Sequence, residues 1–384
     1  MKKLLFLTLA SLLFACGADP VNESNQENLP IVVEEESPRV ELVFCLDATG
    51  SMSGLIQTAK DKIWDIVSEL AQSQSAPDIH LGMIFYRDRG DQYVTKVYPL
   101  TQDIDSIYTE LLKIEAIGGG DAPESVNLAL YEAVNDIQWS EDKDVYRTIF
   151  LVGDCPPHMD YRDEEKYPEI CESANKKNIT VNTVKLGSDC EDAIKHFKKI
   201  AATTNGQYQQ LDQNAEDVVI QTPYDDSINQ YSYNMDQSKM YYGNTQQKEY
   251  NKGRKDKSEA LFYSSDAASN SSRCEYNLSE SGKDNLFGEQ ELLEDIANNK
   301  VKLDTISIKR LPDELQSMSK SERKKEVTKM MNERKENMII LKELTYKRKE
   351  YIDNEMEKQD KPSFSKEIII IMRSQAEKQG VILK

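Results

Sequence analysis

Asp47, Thr49 and Ser51 occupy alternate positions in the short segment Asp47-Ala48-Thr49-Gly50-Ser51. One carboxylate and two hydroxyls at that spacing present three oxygens from a single tight loop. Hard divalent cations take such donors, Mg2+ at about 2.0–2.1 Å in near-octahedral geometry. A further carboxylate, Asp154, follows the apolar run Leu151-Val152-Gly153. Between the two lies Gly118-Gly119-Gly120-Asp121-Ala122-Pro123-Glu124, where Asp121 and Glu124 add carboxylates and glycines let the backbone approach closely. The chemistry indicated is binding of Mg2+, with Mn2+ or Ca2+ as alternatives. No catalytic residue is assigned: the chain has three histidines and no visible Ser/His/Asp or Cys/His arrangement. His158 is read as a packing or supporting histidine, and no CxxC or Cys/His spacing points to zinc.

These groups need elements that bring them to one edge. Val40 to Leu46 is a short apolar run that reads as a buried strand. Ser51 to Gln72 follows with Leu55, Ile56, Ile63, Ile66, Val67 and Leu70 at helical spacing. Ile79–Tyr86 and Tyr93–Leu100 read as a hairpin, Ile104–Ala116 and Pro123–Ile137 as helices. Arg147–Gly153, Ile179–Leu186 and Gly206–Leu211 read as strands, with helices at Tyr167–Lys177 and Glu191–Thr203. Strands alternating with helices predict an α/β fold, a mostly parallel sheet covered on both faces. Ligands on such sheets bind beyond the carboxyl ends of the strands, where Asp47 and Asp154 fall.

With strand before and helix after it, Asp47-x-Thr49-x-Ser51-Met52 resembles the metal-ion-dependent adhesion site of von Willebrand factor A domains. The resemblance spans Val40 to about Leu211. It implies a Rossmann-like domain in which Asp47, Thr49 and Ser51 bind a divalent ion and Asp154 completes the site directly or through water. The family's middle loop usually supplies a Thr; here the substitute is Asp121 first and Glu124 second. The loop GGGDAPE and the run Asp154-Cys155-Pro156-Pro157-His158 resemble a subgroup that includes the domain attached to alpha-kinases. The implied activity is recognition of a protein ligand whose acidic side chain completes the coordination.

Residues 1–15 read as a lipoprotein signal: Lys2 and Lys3, the apolar run Leu4 to Phe14, then Leu13-Phe14-Ala15-Cys16, which resembles a lipobox with Cys16 the lipidated residue. Residues 16–39 read as an acidic tether. The expected location is the cell envelope, the protein held to a membrane by its N-terminal lipid and facing the periplasm or the cell surface. A net charge of −19 argues against nucleic-acid partners. After Cys16, five cysteines remain, an odd number, so at least one thiol stays unpaired; Cys45 and Cys155 are read as buried small hydrophobes. Arg89-Gly90-Asp91 is explained by the hairpin turn, with Asp88, Arg89 and Asp91 at the rim of the recognition surface.

The adhesion-type domain is assigned to residues 40–222. Residues 223–287 are rich in polar residues and read as irregular to partly helical, with Ser269-Asn270-Ser271 as loop. Residues 288–384 read as helical; the stretch from Val301 onward carries 20 Lys+Arg against 15 Asp+Glu, unlike the acidic remainder. Ser319 to Lys358 is one long helix opened by a Ser319/Glu322 capping box. Its apolar stripe, interrupted by Arg334, Thr345 and Arg348, is expected to pack on its own protein, with coiled-coil self-association as the alternative. Phe364 to Ala376 reads as a final helix. Two other functions compete: a metal-dependent enzyme using Asp121, Glu124 or His158 as base, and a structural envelope protein acting through its C-terminal helices.

Overall fold

The computed structural model describes residues 37–73, 76–212, 217, 219–356, 364–378 and 382. The signal segment, Cys16 and the tether as far as residue 36 lie outside the described residues. Among those described, no helix is long and apolar enough to cross a membrane.

The apolar runs form the strands expected of them. In chain order the first half comprises β1 (Arg39–Asp47), α1 (Ser53–Ala71), β2 (Asp78–Tyr86), β3 (Thr95–Thr101), α2 (Ile104–Leu112), α3 (Val126–Tyr131), β4 (Tyr146–Gly153), α4 (Tyr167–Lys176), β5 (Ile179–Leu186), α5 (Asp192–Thr203) and β6 (Tyr208–Leu211). A π-helical turn, Glu132–Asp136, extends α3. The sheet order is β3-β2-β1-β4-β5-β6, with β3 antiparallel and the rest parallel. β1 therefore sits between β2 and β4. Asp47 is in register with Tyr86 and Leu46 with Val152, so the loops after β1, β2 and β4 leave the same edge.

Both faces are covered, which is why β1 and β4 read as continuous apolar runs rather than alternating ones. One face packs Val43, Cys45, Ile149 and Leu151 under Val126, Leu130, Ile170, Ala174 and Phe197 of α3, α4 and α5. The other packs Leu42, Phe44 and Phe150 under α1, α2 and the last helix of the chain.

The second half comprises α6 (Asp225–Gln237), α7 (Thr245–Ser264), α8 (Ala267–Leu278), α9 (Lys283–Phe287), α10 (Leu292–Ala297), α11 (Asp313–Gln316), α12 (Lys320–Met356) and α13 (Phe364–Lys378). Ser269-Asn270-Ser271 is not loop but buried helix. Hydroxyls reconcile polarity with burial here. Ser271 Oγ donates to the Ala267 carbonyl of its own helix at 2.9 Å, and Ser272 Oγ has the Ala268 carbonyl at 3.2 Å besides a nearer acceptor on α1. Their small size lets the helix lie close against α1, where Ser272 Oγ also reaches Asp65 Oδ1 at 2.5 Å.

α12 packs on its own protein. Ser319 and Glu322 cap it reciprocally, Ser319 N–H donating to Glu322 Oε2 at 2.8 Å. The arginines that interrupt its stripe are its anchors: Arg334 is buried against Glu291 at 2.8 Å, and Arg348 against Asp225 at 2.8 Å and Glu275 at 3.2 Å. A buried network joins the two halves, with Arg273 of α8 contacting Asp105 of α2 at 2.6 Å and Asp236 of α6 at 2.9 Å.

α13 returns to the sheet. Phe364, Ile368, Ile371, Met372 and Ala376 are buried in the same cluster as Leu42 and Phe44. Tyr146 Oη donates to Gln375 Oε1 at 2.8 Å and Gln375 Nε2 to Asn182 Oδ1 at 2.7 Å. The sheet's core thus does not close at residue 222; residues from α6 to α12 stand between β6 and the helix that completes it.

Candidate metal centre

The loop after β1 is laced to its neighbours by backbone. Ala48 N–H donates to the Tyr86 carbonyl at 2.8 Å, Gly50 N–H to that of Gly118 at 3.0 Å, and Ile117 N–H to that of Ala48 at 3.1 Å. Gly118 and Gly119 both hold positive φ, +96° and +86°, and a Cβ at Gly118 would lie 2.3 Å from Asp91 Oδ1. The backbone favours glycine at both positions, and at Gly118 its small size also leaves room for the Asp91 carboxylate.

Within this frame Thr49 Oγ1 and N–H donate to Asp47 Oδ1 at 2.6 and 2.9 Å, and Thr49 Oγ1 stands 3.3 Å from Ser51 Oγ. Among the described residues, the other oxygen, Asp47 Oδ2, is buried with no hydrogen-bond partner, and so is Glu124 Oε2. A Cβ added at Gly119 would lie 3.3 Å from Thr49 Cβ and 3.4 Å from Glu124 Oε1, and one at Gly153 would lie 3.2 Å from Asp47 Oδ2. Asp47, Thr49 and Glu124 therefore converge beside the Gly153–Asp154 strand end.

Burial first, and neighbouring negative charge after it, disfavours their charged forms. Burial pushes the Asp47 carboxyl up to about 7; the Thr49 hydrogen bonds pull it down, and the charges of Asp154 and Asp91 push it up again. Burial pushes Glu124 up to about 9, reinforced by Asp47, Asp88, Asp154 and Asp91. A cluster that resists carrying its own negative charge is one a divalent cation relieves. Orphaned carboxylate oxygens beside two hydroxyls form an all-oxygen donor set, which fits a hard cation.

Of the middle-loop carboxylates, Glu124 is the buried one facing Thr49. Asp121 is exposed and its Oδ2 lies 3.9 Å from His158 Nε2 instead. A bridge decides this: Glu124 N–H donates to the Pro156 carbonyl at 2.9 Å, and His158 N–H to that of Glu124 at 3.1 Å. Asp91 turns inward, accepting from Gly119 N–H at 3.1 Å. Arg89 stacks on Tyr161 and pairs with Asp163 and Glu164, so the Arg-Gly-Asp tripeptide is engaged within the protein.

Two features escaped sequence reasoning. Arg87 is buried, its guanidinium donating to the carbonyls of Ala48 at 3.1 Å and Glu115 at 2.7 Å, so it clamps the backbone of the loop after β1. Cys155 is not a free thiol in a packed strand: it is disulfide-bonded to Cys190, with sulfurs 2.01 Å apart. That bond ties the segment after Asp154 to the loop before α5. Among the described residues Cys45, Cys171 and Cys274 are free and buried.

Residues 41–223 match the family model for the von Willebrand factor A domain, and with the sheet just described this part of the chain is such a domain. Curated relatives match part of the chain. A protein of Acanthamoeba polyphaga mimivirus described as an ariadne-like RING finger protein is 22% identical over 199 residues, 48% of this chain and 19% of the relative. Human von Willebrand factor A domain-containing protein 7 is 36% identical over 98 residues, 26% of this chain and 10% of the relative. The chain thus spans less than a quarter of the length of either. Among solved structures, proximal thread matrix protein 1 of the mussel byssus aligns over 46% of this chain and 42% of its own, at TM-score 0.36 and 14% identity. A form of the same protein with a zinc-occupied MIDAS motif aligns over 45% and 42%, at TM-score 0.36 and 15% identity.

Proposed function

We propose that this protein is a membrane-anchored module that recognises another protein through a divalent cation. Asp47, Thr49, Ser51, Glu124 and Asp154 would hold the ion, Mg2+ or Mn2+ from the all-oxygen donor set. When bound, the cation supplies a local positive charge to which a partner's carboxylate is drawn in an otherwise acidic surface. The chain's own groups position it: Thr49 fixes Asp47 Oδ1, Arg87 and the Gly118 carbonyl fix the loop, and the Glu124–Pro157 bridge aims Glu124. The observation that carries this reading is the pair of buried, unpartnered oxygens, Asp47 Oδ2 and Glu124 Oε2, in one cluster.

Anchoring through Cys16 and exposure outside the cytoplasm are supported by the basic start, the apolar run and Cys16 at its end, and by the Cys155–Cys190 disulfide, which suits an oxidising compartment. Calorimetric titration of the purified chain with Mg2+ and Mn2+ tests the site. Binding by the parent that Asp47→Ala and Glu124→Gln each lose is expected; no binding by the parent rejects it. Mass spectrometry of the mature N-terminus tests the anchor, with acyl chains on Cys16 expected and their absence refuting it.

A further inference from the structure

We propose a second cation site, formed by Asp88, Asp121 and His158 and suited to zinc. It shares no ligand with the site proposed above. The ligand atoms of the three side chains all lie within 4.8 Å of one another. His158 Nε2 is 3.3 Å from Asp88 Oδ2 and 3.9 Å from Asp121 Oδ2. Around a tetrahedral zinc with bonds near 2.0–2.1 Å, ligand atoms stand about 3.3–3.4 Å apart. The Asp88–His158 edge has that length, and the Asp121 edge reaches it with a small movement of an exposed side chain.

The histidine is built for the role. His158 is 4% exposed. Its Nδ1 lies 2.8 Å from Asp160 Oδ1, and its ring stacks on Tyr161 with centroids 3.9 Å apart. An Nδ1–H donating to Asp160 fixes the tautomer with the Nε2 lone pair turned inward. That is the carboxylate–histidine arrangement by which metal-bound imidazoles are oriented. Among the described residues Nε2 itself is buried without a hydrogen-bond partner, although two carboxylate oxygens are near. A lone pair aimed at anionic oxygens is repulsive unless something positive lies between them.

Asp88 is equally prepared. It is 4% exposed; Oδ1 accepts from Ser125 Oγ at 2.9 Å and Oδ2 from Tyr161 Oη at 2.8 Å. Asp121 closes the site from the solvent side, its side chain 66% exposed, and provides the route of entry. One imidazole nitrogen and two carboxylate oxygens leave a fourth position open for water or a ligand. Mg2+ prefers oxygen donors only, whereas zinc accepts nitrogen and oxygen together.

The competing account is an imidazolium held between the two aspartates, with no metal. Equilibrium dialysis of the Asp47→Ala chain against Zn2+, with metal analysis of the retained protein, separates them. About one zinc per chain is expected in Asp47→Ala. Adding His158→Ala should abolish it, and adding Asp121→Asn should weaken it at least tenfold. Asp121 is exposed, so its variant keeps the test valid if His158→Ala does not fold. Absence of zinc from Asp47→Ala, or retention undiminished by Asp121→Asn, overturns the proposal. Mg2+ binding lost in Asp47→Ala but kept in Asp121→Asn shows whether the first site stands regardless of the second.

Discussion

A methyl group at Gly153 would have no room. It would stand 2.3 Å from Tyr86 Oη, whose hydroxyl donates to the Val152 carbonyl at 3.1 Å, and 3.2 Å from Asp47 Oδ2. Gly153→Ala is expected to destabilise by about 1–3 kcal/mol, as overpacking does; Tyr86→Phe in the same chain should restore part of it, and thermal unfolding of the pair checks both. Asp105 supplies a pH test. Burial raises its carboxyl, but Arg273, with help from Lys239 and Asn285, outweighs this and brings it down to about 2. The folded value lies below the ordinary one near 3.9, so the stabilisation is complete above about pH 4 and is lost as pH falls through about 2, on the order of 2 kcal/mol. Urea unfolding of the parent and Asp105→Asn should show a gap that narrows between pH 5 and pH 2; a constant gap refutes it. At this scale the sequence was legible where the oxygens are contiguous: Asp47, Thr49 and Ser51 do gather in one loop. Which of Asp121 and Glu124 is buried beside Thr49 was not, because it depends on a backbone bridge to Pro157, more than thirty residues away.

Elements were readable where period and burial agree, as in β1, β4 and α1. They were misread where polar residues are buried in pairs. In α8 the serines are buried with hydroxyl partners, so a polar composition read as loop; α12 does pack on its own protein as expected, its Arg334 and Arg348 finding carboxylates on other helices. Arg348→Met should cost about 3–5 kcal/mol, because it leaves Asp225 and Glu275 buried without their cation; an effect below 1 kcal/mol in chemical unfolding would contradict it. The disulfide belongs to this scale too, joining β4's exit loop to the approach to α5 across a sequence separation of 35. Its reduction should lower stability by roughly 3–4 kcal/mol on chain-entropy grounds, read as a fall in melting temperature with reductant. An unchanged melting temperature would mean that the loops are already held by their packing.

In the whole molecule the two halves are one body of packing, and the alternating pattern of the first half gave no sign of it. Nothing in residues 40–211 announces that Phe44 will be covered by Phe364, with ring centroids 6.4 Å apart; the covering helix had to be seen in place. Phe364→Ala should therefore destabilise the sheet domain itself by about 3–5 kcal/mol, measured as a shift in a single unfolding transition. An intact sheet unfolding independently of a loosened C-terminal half would show that the two are separable after all. The late return of α13 also sets a timetable. At about 5–20 residues per second, on the order of ten seconds or more of synthesis separates β6 from α13. Whether the chain emerges from the ribosome or from an export channel, the strands around Phe44 leave well before their cover, so this surface is either shielded or left open to wrong contacts until α13 arrives.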